Sequence, residues 1–326
     1  MLSNLFIAGP PRSGTTLLRL ILNEHKSIYI TPESSYFYRY TKLFERIING
    51  SKHNLTFFLD ILNYIPSVSH WSKNINKKKF IDKNFSNDSF VNIINQLIID
   101  VSKKENLLYV GDKTPKNIYI IDELISKFIN TKVILIIRNP YDTIYSQIKS
   151  GFTNHNIFSL VHRWNYEANL IINLKSNYPN NIFVIKYEEL VNNTEQSIER
   201  VLIFLGLNID KKILEKYSNN DYDDVDHVKS FLYKKKISTN RIYYRKPNFF
   251  FEESLISKLI DIKPIKFFGY KILKTNNKIF FLKRLRYFFT LKNHFNKYQL
   301  RNIFSFTFIF LKIFIFKLNI FKFLKK

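Results

Sequence analysis

A short apolar run leading into a glycine-punctuated loop, FIAGPPRSGTTLLRLIL from Phe6 to Leu22, constrains this chain more than any other stretch. Leu5 to Ala8 has the length and composition of a buried strand. Gly9, Pro10, Pro11 and Gly14 mark a tight turn. Leu17, Leu18, Ile21 and Leu22 then recur at helical spacing, which leaves Arg19 for the wet side. Such a strand–loop–helix corner aims backbone N–H groups at one point beside the positive end of a helix, where an anion binds. Arg12 adds a cation inside the loop. The phosphate loop of nucleotide enzymes has the form G-x-x-x-x-G-K-[ST]. Gly9 and Gly14 keep that spacing and Thr16 supplies the last hydroxyl, but Thr15 occupies the lysine position. An ordinary strand–turn–helix corner would also carry two glycines; it would not need the P-R-S-G-T-T string.

With 326 residues, 45% of them apolar, the chain can bury a substantial core and form one domain with an appendage. It has no cysteine, which excludes disulfides and thiolate metal sites. Its seven histidines show no two-ligand spacing, so the sequence suggests no metal. The net charge of +25 is unevenly placed, because sixteen Lys or Arg and no acidic residue follow Asp261. Without those sixteen the first 261 residues carry +9, a balance that suits an enzyme of polyanionic ligands. A nucleic-acid partner is not expected, since the aromatics of the basic tail lie in unbroken apolar runs. The opening residues lack a basic stretch before their apolar run, so no signal peptide is expected and the chain is assigned to the cytoplasm.

Apolar runs at Leu5–Ala8, Ile28–Ile30, Leu107–Val110, Val133–Ile137 and Ile182–Ile185 are expected strands. Helical patterns lie between them at Ser89–Val101, Tyr119–Phe128, Tyr141–Ile148, Phe158–Leu174 and Glu195–Leu205. This alternation predicts an α/β fold, a P-loop-type three-layer sandwich whose central parallel sheet is flanked by helices. The polar, lysine-rich segment Asn49–Asn87 is expected to be a helical insertion or lid, and Ser218–Asn248 a loop. Ligands of such sheets bind at the carboxyl ends of the strands, which makes the residues just past each strand the candidates for a site. Glu33 comes after the second strand, Lys113 after the third, and Tyr187 with Glu188 after the fifth. Arg138 comes after the fourth, where many P-loop hydrolases hold magnesium with an aspartate. An arginine there pairs with a second phosphate in bidentate fashion. Ser146, eight residues on, is about two helical turns away and adds a hydroxyl.

These segments resemble the sulfotransferase family that uses 3′-phosphoadenosine 5′-phosphosulfate (PAPS), in particular its bacterial and protein-tyrosine branch. PRSGTTLLRLIL is similar to that family's 5′-phosphosulfate loop and RNPYDTIYS to its 3′-phosphate segment. Glu33, twenty-one residues after Arg12, stands where the tyrosylprotein branch places its catalytic base, and Lys113 in DKTP matches the lysine that contacts the transferring sulfonate. The resemblance implies catalytic roles for Glu33, Lys113 and Arg12. It implies donor binding by Arg12, Ser13, Gly14, Thr15, Thr16, Arg138, Ser146 and Tyr187, with the N–H groups of Ser13 to Thr16 on the 5′-phosphate and Tyr187 near the adenine. PAPS is then the donor cosubstrate, without a metal. A sulfate ester carries a single charge, which suits a site lacking both the lysine and the metal carboxylate of γ-phosphate transfer.

Other readings stand beside these. Glu33 can be a helix N-terminal carboxylate, Lys113 a solvated loop lysine, and Asp112 a residue that orients the loop or a lysine. His25, His155, His162 and His227 follow no core strand and are expected to be structural or surface residues, with Trp164 in the core. The competing function is a P-loop kinase or NTPase with a degenerate loop. The resemblance spans roughly residues 4–207 and fades beyond. KKKISTNRIYYRK has the charge of a late nucleotide-closing loop without a clear pattern. The catalytic domain is assigned to residues 1–270 and a basic, aromatic tail to 271–326. That tail is apolar on nearly every face with recurrent lysines, which suits either attachment to an anionic membrane surface or packing on the enzyme. The acceptor is expected to be a hydroxyl on a glycan, glycolipid or peptide. Attachment at the inner face of a membrane favours the glycan or glycolipid.

Overall fold

The computed structural model describes residues 2–35, 37, 52–65, 68–83, 85, 89–128, 130–150, 156–219, 237 and 250–273. Its sheet comprises β1 (Ser3–Ala8), β2 (Ile28–Thr31), β3 (Tyr109–Lys113), β4 (Lys132–Ile137) and β5 (Ile182–Lys186). All neighbours pair in parallel, in the order β2-β3-β1-β4-β5. The helices are α1 (Thr15–Asn23), α2 (Lys52–Tyr64), α3 (Ser69–Asn74), α4 (Lys77–Ile81), α5 (Phe90–Ser102), α6 (Ile121–Lys127), α7 (Pro140–Lys149), α8 (Ile157–Asn177), α9 (Tyr187–Asn192), α10 (Thr194–Phe204), α11 (Ile213–Asn219), α12 (Phe250–Leu259) and α13 (Ile262–Phe268). The expected three-layer α/β sandwich is the observed architecture.

Strand periodicity sorts the core into two layers, because successive side chains leave opposite faces of the sheet. Phe6, Ala8, Val133, Leu135 and Ile137 pack against Leu55, Phe58, Ile94, Leu97, Trp164 and Ile256 from α2, α5, α8 and α12. Leu5, Ile7, Ile134 and Ile136 pack against Leu18, Leu22, Ile198 and Val201 from α1 and α10. Both faces are covered, so Leu5–Ala8 of β1, Val133–Ile137 of β4 and Ile182–Ile185 of β5 are unbroken apolar runs rather than alternating.

Two polar devices tie the layers. Asn4 and Asn95 exchange amide hydrogen bonds at 2.7 and 3.2 Å, fastening β1 to α5 inside the core. Lys104 donates from Nζ to the carbonyl oxygens of Asn23, His25 and Ile28. It thereby satisfies acceptors that the end of α1 leaves open. Burial lowers the pKa of this lysine.

The sequence reading needs four corrections. Strand β3 starts two residues later than expected and runs on through Gly111 and Asp112, so Lys113 is its last residue and is buried, not a solvated loop lysine. The helix expected over Tyr119–Phe128 begins instead as a 3₁₀ turn, Pro115–Ile120, followed by α6. Residues within 52–85 are helical as expected, but Phe58, Leu59, Leu62, Trp71 and Phe80 belong to the main core, so α2 to α4 form a wall and not a loose lid. Arg19 is buried at 6% exposure, with its charge close enough to Tyr29 to act on that hydroxyl, so the face of α1 assigned to water is not a wet one. His25 is buried and His162 exposed on α8. Residues 274–326, nearly all of 220–249, His155 and His227 lie outside the described residues. Among the described residues no helix is long and apolar enough to cross a membrane.

Glu167 on α8 gives the fold a pH dependence. Burial, offset in part by the Tyr119 hydroxyl that it accepts, pushes its carboxyl from 4.5 up to about 7. Between those values the folded state holds a proton that the unfolded chain releases, so stability falls as pH rises through that window, by about 3 kcal/mol in all. Glu167→Gln keeps an acceptor for Tyr119 but does not titrate. Denaturant midpoints measured from pH 4.5 to 7.5 should show the variant gaining that amount on the wild type; parallel curves would mean that Glu167 is ionised throughout.

Candidate active site

Because every strand runs in the same direction, the five strand ends lie along one edge of the sheet. Sheet order, not chain order, arranges their functional groups. Glu33 follows β2, Lys113 ends β3, the glycine loop follows β1, Arg138 follows β4 and Tyr187 follows β5.

The loop after β1 is shaped by its glycines and its contacts with β4. Gly9 has φ 144°, and a Cβ there would lie 2.1 Å from Ile136 O, so only glycine lets the chain pass so close to the neighbouring strand. Gly14 has φ 96° and stands at the N-terminus of α1, where no side chain among the described residues caps the helix. A Cβ at Gly14 would meet the Tyr187 ring at 2.5 Å. Arg12 also adopts a left-handed φ, 73°. Of the N–H groups expected to face an anion, that of Ser13 instead closes the turn on Pro10 O at 3.2 Å. The Ser13 hydroxyl oxygen is buried with no hydrogen-bond partner among the described residues. A buried hydroxyl beside an uncapped helix start fits an anionic oxygen.

Arg138 joins this loop to the β4–α7 corner. Its Nη1 donates to Arg12 O at 3.2 Å, while Arg12 Nε donates to Ser146 Oγ at 3.2 Å. Gln147 Nε2 reaches Pro11 O at 2.9 Å. The two anion segments recognised in the sequence are therefore hydrogen-bonded to one another, and Arg138 Nη2 also lies 3.9 Å from Asp142 Oδ2. Arg138 itself is buried: its guanidinium lies 4.5 Å over the Tyr187 ring, and its carbonyl accepts from Trp164 Nε1 at 3.1 Å. Tyr187 is only 7% exposed. Its ring thus props Arg138 and the loop, and offers little open face to a base.

At the other end, Asp112 holds the Glu33 loop. Its Oδ1 accepts from Thr31 Oγ1, Ser34 N and Ser34 Oγ, and its Oδ2 from Asn117 Nδ2. Burial raises the pKa of Asp112, and these donors oppose the shift. Ser35 N donates to Thr114 Oγ1, and Gly9 N to Pro115 O, so the corners after β1, β2 and β3 are stitched together. The result is an ion pair of 3.6 Å between Lys113 Nζ, 3% exposed, and Glu33 Oε2 on a side chain 44% exposed. A buried lysine beside an open carboxylate can guide a proton-bearing group toward the loop.

Glu188, which the sequence places after the fifth strand, was given no role there. It is buried; Oε1 accepts from Asn139 N at 2.8 Å and Oε2 from the Tyr270 hydroxyl at 3.0 Å. Burial raises its pKa, while these donors and Arg138 pull it back. Its position after a strand end was the only signal.

A family model described as the sulfotransferase family matches residues 4–211. A Caenorhabditis briggsae chain that carries the provisional name of a protein-tyrosine sulfotransferase is 24% identical over 281 residues, which are 81% of this chain and 89% of that one. Protein-tyrosine sulfotransferase A of Caenorhabditis elegans is 25% identical over 217 residues, 64% of this chain but only 51% of that protein. Among solved structures, the sulfotransferase domain from the Synechococcus PCC 7002 olefin synthase is similar in fold, with a TM-score of 0.57 and 21% identity, covering 84% of this chain and 96% of that one.

Gly9→Ala tests the loop geometry. The clash with Ile136 O and the positive φ should lower unfolding stability by about 3 kcal/mol or more in urea. A loss below about 1 kcal/mol would show that β4 yields to the added methyl.

Proposed function

The chain belongs to the sulfotransferase family, and from that premise we propose that it moves a sulfuryl group from PAPS to an acceptor hydroxyl. One observation carries this reading: sheet order sets Glu33, Lys113, the glycine loop and Arg138 side by side along one edge. PAPS supplies an activated sulfuryl group on a 5′-phosphate and a 3′-phosphate some distance away. The loop, with Arg12, the Ser13 hydroxyl and the first turn of α1 at Thr15 and Thr16, would hold the 5′ end. Arg138 and Ser146 would hold the 3′-phosphate, with Tyr187 keeping Arg138 flat against the site.

Glu33 takes the proton from the acceptor O–H as that oxygen becomes a nucleophile. Its partial exposure lets an acceptor reach it from solvent. Lys113 is buried behind it and offers its charge to the oxygens of the departing group. The cation at the end of β4 replaces the carboxylate that a magnesium-dependent phosphotransferase would use there, which argues against the kinase or NTPase reading.

For the acceptor, the names of the relatives favour a tyrosyl hydroxyl on a peptide. A glycan or glycolipid is the second reading, and the lysine-bearing apolar tail of the sequence favours it. Labelled donor incubated with peptide and glycan acceptors separates the two by where the label goes. Liposome flotation tests the tail: the full-length protein should float with anionic vesicles at low salt, and a truncation after Asn277 should not. If both stay at the bottom, the tail has no membrane role.

Adenosine 3′,5′-bisphosphate should bind equally well with and without EDTA in calorimetry. Glu33→Gln should keep that affinity while turnover falls about a hundredfold or more, as expected for loss of a general base. Arg138→Ala should weaken binding instead. A requirement for Mg²⁺, or ATP competing as well as the bisphosphate, would contradict the sulfotransferase assignment.

A further inference from the structure

The family match ends at residue 211, yet the chain returns to the site through α12, α13 and the residues up to Leu273. Four contacts bring it there. Tyr270 donates its hydroxyl to Glu188 Oε2 at 3.0 Å. The Tyr141 hydroxyl lies 2.8 Å from Ser257 Oγ and accepts from Leu273 N at 3.0 Å. The Tyr270 ring packs against Trp164, 6.5 Å between centroids, and Trp164 holds the carbonyl of Arg138. The β4–α7 corner is therefore gripped from two sides, by Glu188 after β5 and by residues 250–273.

We propose that Tyr270 is a positioning residue for the donor site: through Glu188 it fixes the corner from which Arg138 reaches the 3′-phosphate. The inference rests on the PAPS reading above. Glu188 is buried, and besides its own backbone N–H its carboxylate takes Tyr270 from the C-terminal segment on Oε2 and Asn139 N, the residue next to Arg138, on Oε1. Without the Tyr270 hydroxyl, one oxygen of a buried carboxylate loses its donor, which is costly enough to turn the side chain. The Asn139 N–H then loses its anchor, and Arg138 with it. Asn139 also caps α7 by accepting from Tyr141 N at 2.9 Å, so the disturbance stays at the corner that carries Arg138. The glycine loop shares the bond from Arg138 to Arg12 O but also has anchors apart from this corner: Gly9 packs against Ile136 of β4, and its N–H donates to Pro115 O after β3.

The test uses two probes on the full-length protein: adenosine 3′,5′-bisphosphate by calorimetry and adenosine 5′-monophosphate by competition. Tyr270→Phe removes one hydroxyl and keeps the packing. It should weaken the bisphosphate about tenfold, in line with losing a hydrogen bond to a charged group, and leave the monophosphate within about twofold. Glu188→Gln should repeat that selectivity. In an Arg138→Ala background, Tyr270→Phe should cost the bisphosphate nothing further, since the group it positions is gone. An equal loss on both probes, or no loss on either, overturns the positioning role while a wild-type preference for the bisphosphate keeps the PAPS reading. Wild-type protein with no preference for the bisphosphate overturns both.

Discussion

The site depends on how closely β1 lies against its two neighbours. Because β1 is the middle strand, the loop that leaves it is flanked by Lys113 on β3 and by Arg138 after β4. That position is possible only because Gly9 lets the backbone pass against the Ile136 carbonyl. Move the loop outward and its bonds to Pro115 and Arg138 stretch together. The cations on either side are thereby set relative to one another by main-chain packing, with side-chain bonds refining what the sheet has fixed. This is how a parallel sheet turns distant parts of a chain into a preorganised row.

Most of the architecture was legible in the sequence. Unbroken apolar runs identify strands covered on both faces, and the helix patterns between them leave a parallel sheet as the natural solution. The glycine spacing and the charges at strand ends then pointed to the edge where the site lies. What escaped has specific physical causes. The end of β3 is Gly111-Asp112-Lys113, residue types that disfavour strands, so the apolar signal stops at Val110 although the ladder continues. The lysines of 52–85 obscured apolar positions such as Leu55, Phe58, Leu59 and Leu62, which keep helical spacing and enter the core. The burial of Tyr187 beneath Arg138 depends on a partner 49 positions earlier, which no local pattern reveals.

The two ends of the row differ in character. Toward β5 the charged groups are enclosed and each is braced by a neighbour: Arg138 by Tyr187 and Trp164, Glu188 by Asn139 and Tyr270. Toward β2 the loop is braced by the buried Asp112 but its carboxylate faces solvent. A rigid, enclosed end suits a ligand that is the same in every turnover, and an open end suits the partner that varies.

The central position of β1 also bears on how the chain assembles. Ser3 pairs with Tyr109 and Leu5 with Lys132, so both neighbours of the first strand are synthesised more than a hundred residues after it. Contacts so distant in sequence require large loops to close before they stabilise anything, which slows folding. Until then an apolar strand is left with both edges unpaired, a template for association with other chains. The arrangement that gathers the site on one edge thus makes the nascent protein slow to mature, and a candidate for protection by chaperones.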